Sequence, residues 1–290
     1  MKGCQGDACQ AREKKGWWRA SRWLLARRCS QLGVLGLFLL GPLAGVRLIE
    51  GNLASSLTLG VLPMTDLLWF AETVAASGIP LMQAVIGAGV VALLYGLSGG
   101  RTFCSWVCPL EPVTDLAAWT RGRLRITGGW RGDRRIRHGL LAMVILLAGI
   151  TGVPAWEWFN PVGWTQRGVI FASWSGLWAV VAVFLFDLLL SPHGWCGRLC
   201  PTGAMYAQLG RVTPLLVSAS RREACTDCHA CHRVCPEPQV LDPALKGAAR
   251  GVGPGIVAAD CTRCGRCIDI CPEEVFEFDY HFSTMAREVT

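Results

Sequence analysis

Two short stretches carry the same cysteine pair. RTFCSWVCPLEP (Arg101–Pro112) and GWCGRLCPTGA (Gly194–Ala204) each hold Cys-x3-Cys-Pro, at Cys104 and Cys108 and again at Cys196 and Cys200. Two longer runs follow near the C-terminus. Cys225-x2-Cys228-x2-Cys231-x3-Cys235-Pro236 is matched in every spacing by Cys261-x2-Cys264-x2-Cys267-x3-Cys271-Pro272. Three thiolates on a short loop can wrap three irons of a cubane, and a fourth beside a proline turn reaches the other cluster. This rule predicts one [4Fe–4S] cluster on Cys225, Cys228, Cys231 and Cys271, and another on Cys261, Cys264, Cys267 and Cys235. Zinc shares the CxxC element but rarely needs the third and fourth cysteines at these distances. His229 and His232 are interleaved with the first run and read as surface or supporting residues, not ligands. The 25 residues between Cys235 and Cys261, including GVGPG, read as a surface loop.

The Cys-x3-Cys-Pro pairs admit more than one chemistry. Each follows a long apolar segment, so the chain reads as a duplicated unit of helix, outer loop, helix and cysteine pair. A pseudo-two-fold repeat would bring Cys104, Cys108, Cys196 and Cys200 together as a four-thiolate site for a further metal or cluster. Alternatively, each pair could cycle between dithiol and disulfide. The bland reading makes them small buried residues at helix ends, and the duplication argues against it. Cys4, Cys9 and Cys29 share no ligand spacing and read as incidental.

The elements that must position these cysteines are membrane helices. Of 290 residues, 52% are hydrophobic and only 17% charged, with a mean hydropathy of +0.36. Such a composition predicts several spans. Four apolar segments, 31–49, 79–98, 139–155 and 168–190, approach the roughly 20 residues that cross a bilayer. Residues 1–30 carry eight Lys or Arg and the stretch 101–138 carries eight Arg, whereas 50–80 carries neither. The positive-inside rule then places both termini and both cysteine pairs at the cytoplasmic face of a bacterial inner membrane. Trp17, Trp18 and Trp23, and Trp156, Trp158 and Trp164, read as interface anchors. Residues 51–78, interrupted by Pro63, Asp66 and Glu72, read as an outer re-entrant or interfacial segment; a fifth span there would put the cysteine runs outside. Arg27-Arg28 could open an export signal, but the arginine-rich stretch at 121–137 opposes export.

The expected fold is thus an α-helical polytopic membrane protein with four transmembrane helices in a duplicated hairpin unit. A C-terminal α+β two-cluster ferredoxin-like domain follows. Residues 1–30 form a basic cytoplasmic segment whose start, MKGCQGDACQAREKK, reads as disordered; 31–215 form the membrane domain and 216–290 the ferredoxin domain. The formal charge of +7 belongs to topology and anionic lipid. Without a recognition motif, nucleic acid is excluded as a partner.

A resemblance rests on GNLASSLTLGVLPMTD, FCSWVCPLEPVTDLAAW, GWCGRLCPTGA, CPEPQVL and DCTRCGRCIDICPEEVFEF, in that order over roughly residues 48–278. The chain resembles the NapH family, ferredoxin-type membrane components of periplasmic nitrate reductase systems. The resemblance implies four helices, two cytoplasmic clusters and oxidation of menaquinol or ubiquinol from the membrane pool. It also implies electron delivery through a periplasmic ferredoxin-type subunit toward nitrate reductase, and it maps the family's pairs onto Cys104, Cys108, Cys196 and Cys200. Arg47, Glu50, Asp66, Glu72 and Asp187 are ionisable groups near the spans and so candidates at a quinol site, where a carboxylate can take a released proton. Two rivals stand beside this reading. One is a related component serving another reductase, such as nitrous oxide reductase; the other is a redox-sensing or assembly protein without quinol turnover.

Overall fold

The computed structural model describes residues 7–280 except Arg47 and Arg131. Two compact units emerge. One comprises the described residues of 1–30, 95–106 and 207–290; the other comprises 31–94 and 107–206. The ferredoxin region therefore gathers in two segments that are remote in sequence.

In the second unit, apolar helices build a scaffold around a small sheet. Strands Ile49–Gly51, Ser55–Thr58 and Leu62–Thr65 form an antiparallel meander in which Glu50 faces Leu57 and Ser56 faces Met64. Helix Leu67–Ser77 follows, and the local sequence sets both its ends. Asp66 accepts bonds from Leu68 N at 3.0 Å and Trp69 N at 3.1 Å, and Gly78 closes it at φ 71°, the usual N-cap and left-handed C-cap chemistry. Eleven residues rise only about 16 Å, about half the thickness of a bilayer's hydrocarbon core.

Among the described residues one helix, Arg22–Ala44 with 23 residues, is long and apolar enough to cross a membrane. Met82–Ser98 and Ile136–Thr151 are apolar but shorter, at 17 and 16 residues. The apolar stretch 168–190, expected as one helix, is broken. Helix Pro161–Phe171 ends at Ala172, which sits at φ 49°, and helix Trp174–Leu189 begins afresh. Neither Ala172 nor Ser173 is a recognised helix breaker, so hydropathy alone ran across the joint. The two helices then pack so closely that a Cβ built on Gly168 would lie 2.5 Å from the Gly176 Cα.

In the first unit, strands Leu215–Ser218 and Glu277–Tyr280 pair antiparallel, with Val217 opposite Phe278. The apolar core joins Val217, Ile268, Ile270, Val275 and Phe276 to four residues from the stretch between the cysteine runs: Val240, Leu241, Ala244 and Ile256. That stretch is structural, not a loose surface loop. It contains helix Leu241–Lys246, and Ser218 bridges to Gly255.

The N-terminal segment also departs from expectation. Residues 7–19 are helical, and Ala11 is wholly buried. Lys15 Nζ donates to Ile268 O at 2.6 Å, Lys14 pairs with Glu273, and Leu24 N donates to Asp269 Oδ2 at 2.9 Å. Trp23, expected at a membrane interface, instead sets its ring edge-on to Phe278 at 4.6 Å. Trp17, Trp18 and Trp158 are exposed. Cys4 and Arg47 lie outside the described residues, as does the side chain of Cys9.

Candidate functional site

The two cysteine runs repeat in backbone as they do in spacing. In Cys225-Thr-Asp-Cys-His-Ala-Cys, Asp227 and His229 take left-handed φ of 52° and 56°; in Cys261-Thr-Arg-Cys-Gly-Arg-Cys, Arg263 and Gly265 take 48° and 73°. Left-handed residues alternating with ordinary ones curl a loop so that its N–H groups point inward, a concavity suited to anions and iron–sulfur groups. Each loop then enters one helical turn, Ala230–Val234 or Arg266–Ile270, and leaves it through an extended cysteine, Cys235 or Cys271, ahead of proline.

The two short helices pack together, and this exchanges the fourth cysteines. One cavity is lined by Cys225, Cys228, Cys231 and Cys271. A second is lined by Cys235, Cys261, Cys264 and Cys267. These are the two quartets that the spacing rule groups. Among the described residues, no three His, Cys, Asp or Glu are arranged to hold a single metal ion.

The donor chemistry can be tested against a cubane. Burial, then the neighbouring thiolates, push Cys231 up to about 12. Cys235 and Cys267 are raised well above the ordinary thiol range, with burial again the first cause. Burial thus holds the protons on Cys231, Cys235 and Cys267, and a polycationic iron core is what would let such thiols ionise together. Eight cysteines in two rings, around cavities and inward-facing loops, fit two such cores.

The two quartets differ in exposure. Cys228 is exposed and Cys225 half-buried, whereas Cys261, Cys264 and Cys267 are buried. The interleaved histidines both line the first cavity, and His232 Nδ1 lies 3.4 Å from Cys231 Sγ. His229 is exposed, and His232 Nε2 lies 2.9 Å from Asp242 Oδ1.

The Cys-x3-Cys-Pro pairs share a pattern of burial: Cys104 and Cys196 are partly exposed, Cys108 and Cys200 buried. Cys104 belongs to the first unit and Cys108, Cys196 and Cys200 to the second. Cys104 sits in the short helix Thr102–Trp106, Cys196 in a π-helical turn, Trp195–Leu199, a rare element often found at functional positions. Charged groups clamp that turn. Asp187, nearly inaccessible, accepts from Trp195 N at 2.9 Å, and buried Arg137 donates to Gly197 O at 3.2 Å. Cys200 Sγ accepts from Gly203 N at 3.4 Å as Pro201 opens the next helix.

The other ionisable candidates have definite roles. Asp66 caps its helix and takes a third bond from Tyr206 Oη at 2.9 Å. Glu72 is 0% exposed; Oε1 accepts from Trp156 N at 2.8 Å, while the buried Oε2 has no hydrogen-bond partner among the described residues. Glu50 is exposed on its edge strand.

Sequence reasoning missed a set of buried arginines. Arg101 and Glu237 form an ion pair at 2.7 Å, each 1% exposed, and Arg263 is equally buried. Ser105 Oγ donates to Thr262 O at 2.7 Å and Trp106 Nε1 to Arg263 O at 3.2 Å. Helix Thr102–Trp106 is thereby fastened to the second cysteine loop. A positive residue inside each motif was the available signal, but arginine in a membrane-adjacent loop reads first as topology.

Residues 81–127 and 172–221, each containing one Cys-x3-Cys-Pro pair, match the model of a 4Fe-4S binding domain, and residues 218–272 match that of a 4Fe-4S dicluster domain. Fold, quartets and matches together define a ferredoxin-type iron–sulfur electron-transfer protein. The chain is 43% identical over 278 residues to the ferredoxin-type protein NapH of Escherichia coli (strain K12), spanning 96% of each chain. It is 42% identical over 273 residues to the NapH of Haemophilus influenzae, spanning 94% of this chain and 95% of that one. It is 46% identical over 263 residues to the methylamine utilization ferredoxin-type protein MauN of Methylorubrum extorquens, spanning 91% of each. The chain belongs to this NapH and MauN family of ferredoxin-type proteins. No solved structure matches it.

Proposed function

We propose that this chain is a multi-pass inner-membrane quinol dehydrogenase component that carries two [4Fe–4S] clusters, with both termini cytoplasmic. The observation that carries the reading is the pair of cavities, each ringed by three cysteines of one run and one of the other. A cluster bound in each quartet supplies a one-electron carrier, so together they can divide the two electrons of a quinol.

The second unit supports the membrane placement. On Met82–Ser98 the buried positions are the small Ala84, Gly87 and Ala88 with Val91, while Met82 at 72% and Leu93 at 65% face outward. On Ile136–Thr151, Ala148 is 0% exposed and Ile150 83%. Small residues inside and large apolar ones outside is the pattern of helices packed in lipid. Four spans follow if the shorter helices cross with their flanking apolar turns.

Oxidising a quinol releases two electrons and two protons. In this reading the protons leave through the outer carboxylates, and Glu72, with one buried oxygen unpartnered among the described residues, accepts the first. Asp66 has all its geometry committed to the helix cap and Tyr206 and serves as a positioning residue. That the same 4Fe-4S model matches both pair-bearing segments favours a metal or cluster role for Cys104, Cys108, Cys196 and Cys200 over dithiol cycling.

Likeness to NapH favours a periplasmic ferredoxin-type subunit and nitrate reductase as the onward route. Likeness to MauN supports a second assignment, the methylamine utilization system, for the same electron-transfer chemistry.

The test is anaerobic. The purified chain is mixed with a reduced menaquinol analogue, and EPR and visible absorption are followed. Reduction that is lost in Cys104→Ser or Cys196→Ser, with iron content retained, supports the reading. Wild-type clusters that stay oxidised, even with the periplasmic subunit added, sink quinol oxidation and leave the sensing or assembly role.

A further inference from the structure

The two cysteine loops share one backbone and have opposite surroundings. Residues 261–265 are all buried, whereas residues 226–229 are all exposed. Reducing a cluster adds a negative charge, and a low-dielectric surrounding disfavours that charge. The buried quartet thus needs a cation close by if it is to accept electrons from the same donor as the exposed one.

Three arginines lie near it, and they are not alike. Arg266 lines the cavity itself and donates to Val234 O at 3.4 Å. Arg101 and Arg263 are almost inaccessible. Arg101 has a carboxylate, Glu237, which also lines the cavity. Arg263 has none among the described residues. Every hydrogen bond of its guanidinium ends on a backbone carbonyl: Nε on Leu215 O at 2.8 Å, Nη1 on Gly99 O and on Cys261 O at 3.2 Å, Nη2 on Gly210 O at 3.3 Å. Carbonyl dipoles solvate a cation without neutralising it, and a buried charge without a counter-charge is strongly unfavourable. Gly99 is held at φ 129° with no room for a Cβ, which would lie 2.1 Å from Arg263 Cδ. The chain therefore leaves out a side chain to admit this guanidinium. In the first loop the corresponding residue, with the same left-handed φ, is the exposed Asp227.

We propose that Arg263 is the counter-charge of the second quartet, a buried cation without a carboxylate that favours the reduced state of a cluster held by Cys235, Cys261, Cys264 and Cys267. It raises that cluster's midpoint potential against the effect of burial and leaves the first cluster untouched. The inference rests on the reading that both quartets carry clusters.

The experiment is an EPR-monitored potentiometric titration of the full-length chain, purified anaerobically, with iron analysis on every sample. In Arg263→Gln one cluster's reduction equilibrium falls at least tenfold, which is about 59 mV for a one-electron couple, and the other does not move. Arg263→Lys keeps the charge and recovers most of that loss. Glu237→Gln removes one negative charge from the lining of the second cavity and moves the same cluster upward. Three results overturn the proposal: both midpoints unchanged in Arg263→Gln, Lys falling as far as Gln, or Glu237→Gln moving that cluster downward. Should Arg263→Gln not hold its cluster, the directions seen in Arg263→Lys and Glu237→Gln still decide. A wild-type chain containing no cluster, seen directly as missing iron, overturns instead the reading of the quartets on which this rests.

Discussion

A cysteine thiol deep in a protein gives up its proton reluctantly, and the eight quartet thiols are unequally deep. Cys228 lies open on its loop, while Cys261, Cys264 and Cys267 are buried. An anaerobic chelator challenge should therefore remove iron in two phases. Roughly half is lost fast from the Cys225–Cys228–Cys231–Cys271 ring, the rest slowly. A single phase measured by iron release would contradict the difference in exposure. At the outer carboxylates, Glu72→Gln keeps the bond from Trp156 N but cannot take a proton. Quinol-driven cluster reduction in stopped flow should slow about 100-fold, with dithionite-reduced spectra unchanged. Which cysteines share a cavity was legible in the sequence, because coordination chemistry dictates spacing directly. The buried arginines were not, because nothing in RTFCSWVC or CTRC says which charges the fold encloses.

Among the elements, the contact between helices Pro161–Phe171 and Trp174–Leu189 is the least forgiving. A Cβ on either of Gly168 or Gly176 would come within 2.5 Å of the other glycine's Cα. Gly168→Ala and Gly176→Ala should each cost about 1–3 kcal/mol, and the double variant less than their sum, since the first already forces the helices apart. Thermal melts in detergent measure this. The apolar segments themselves were legible from hydropathy and the cap at Asp66 from its residue type. The break at Ala172 was not, because its one mark, the N-cap residue Ser173, is a small residue that apolar helices also accommodate. Nor was the role of Asp187, which looks like a buried charge awaiting substrate but holds Trp195 N in the cysteine turn.

For the whole molecule, the sequence suggested three consecutive blocks, and the structure assembles one unit from three separated pieces. Trp23 belongs to the ferredoxin core through Phe278 and Gly265, so Trp23→Ala should destabilise that unit by about 3 kcal/mol, the lower end for losing a large aromatic side chain. Faster cluster bleaching in air would report it. Topology follows from the four-span reading: in sealed cells, tags inserted at Gly60 should be reached by an external protease, whereas tags at either terminus should be protected. Both ends reached together with Gly60 would rule out that arrangement.

The N-terminal helix has a consequence for how the molecule is made. Residues 7–30 leave the ribosome well before Ile268, Asp269 and Glu273, against which they settle and which emerge more than two hundred residues later. At 5–20 residues per second this is a wait on the order of 10–50 s. Through that interval a basic segment with an exposed aromatic must be kept from other attachments, and the iron-binding region cannot close over it until residues 268–273 have been made. Assembly is thus timed by the second cysteine run.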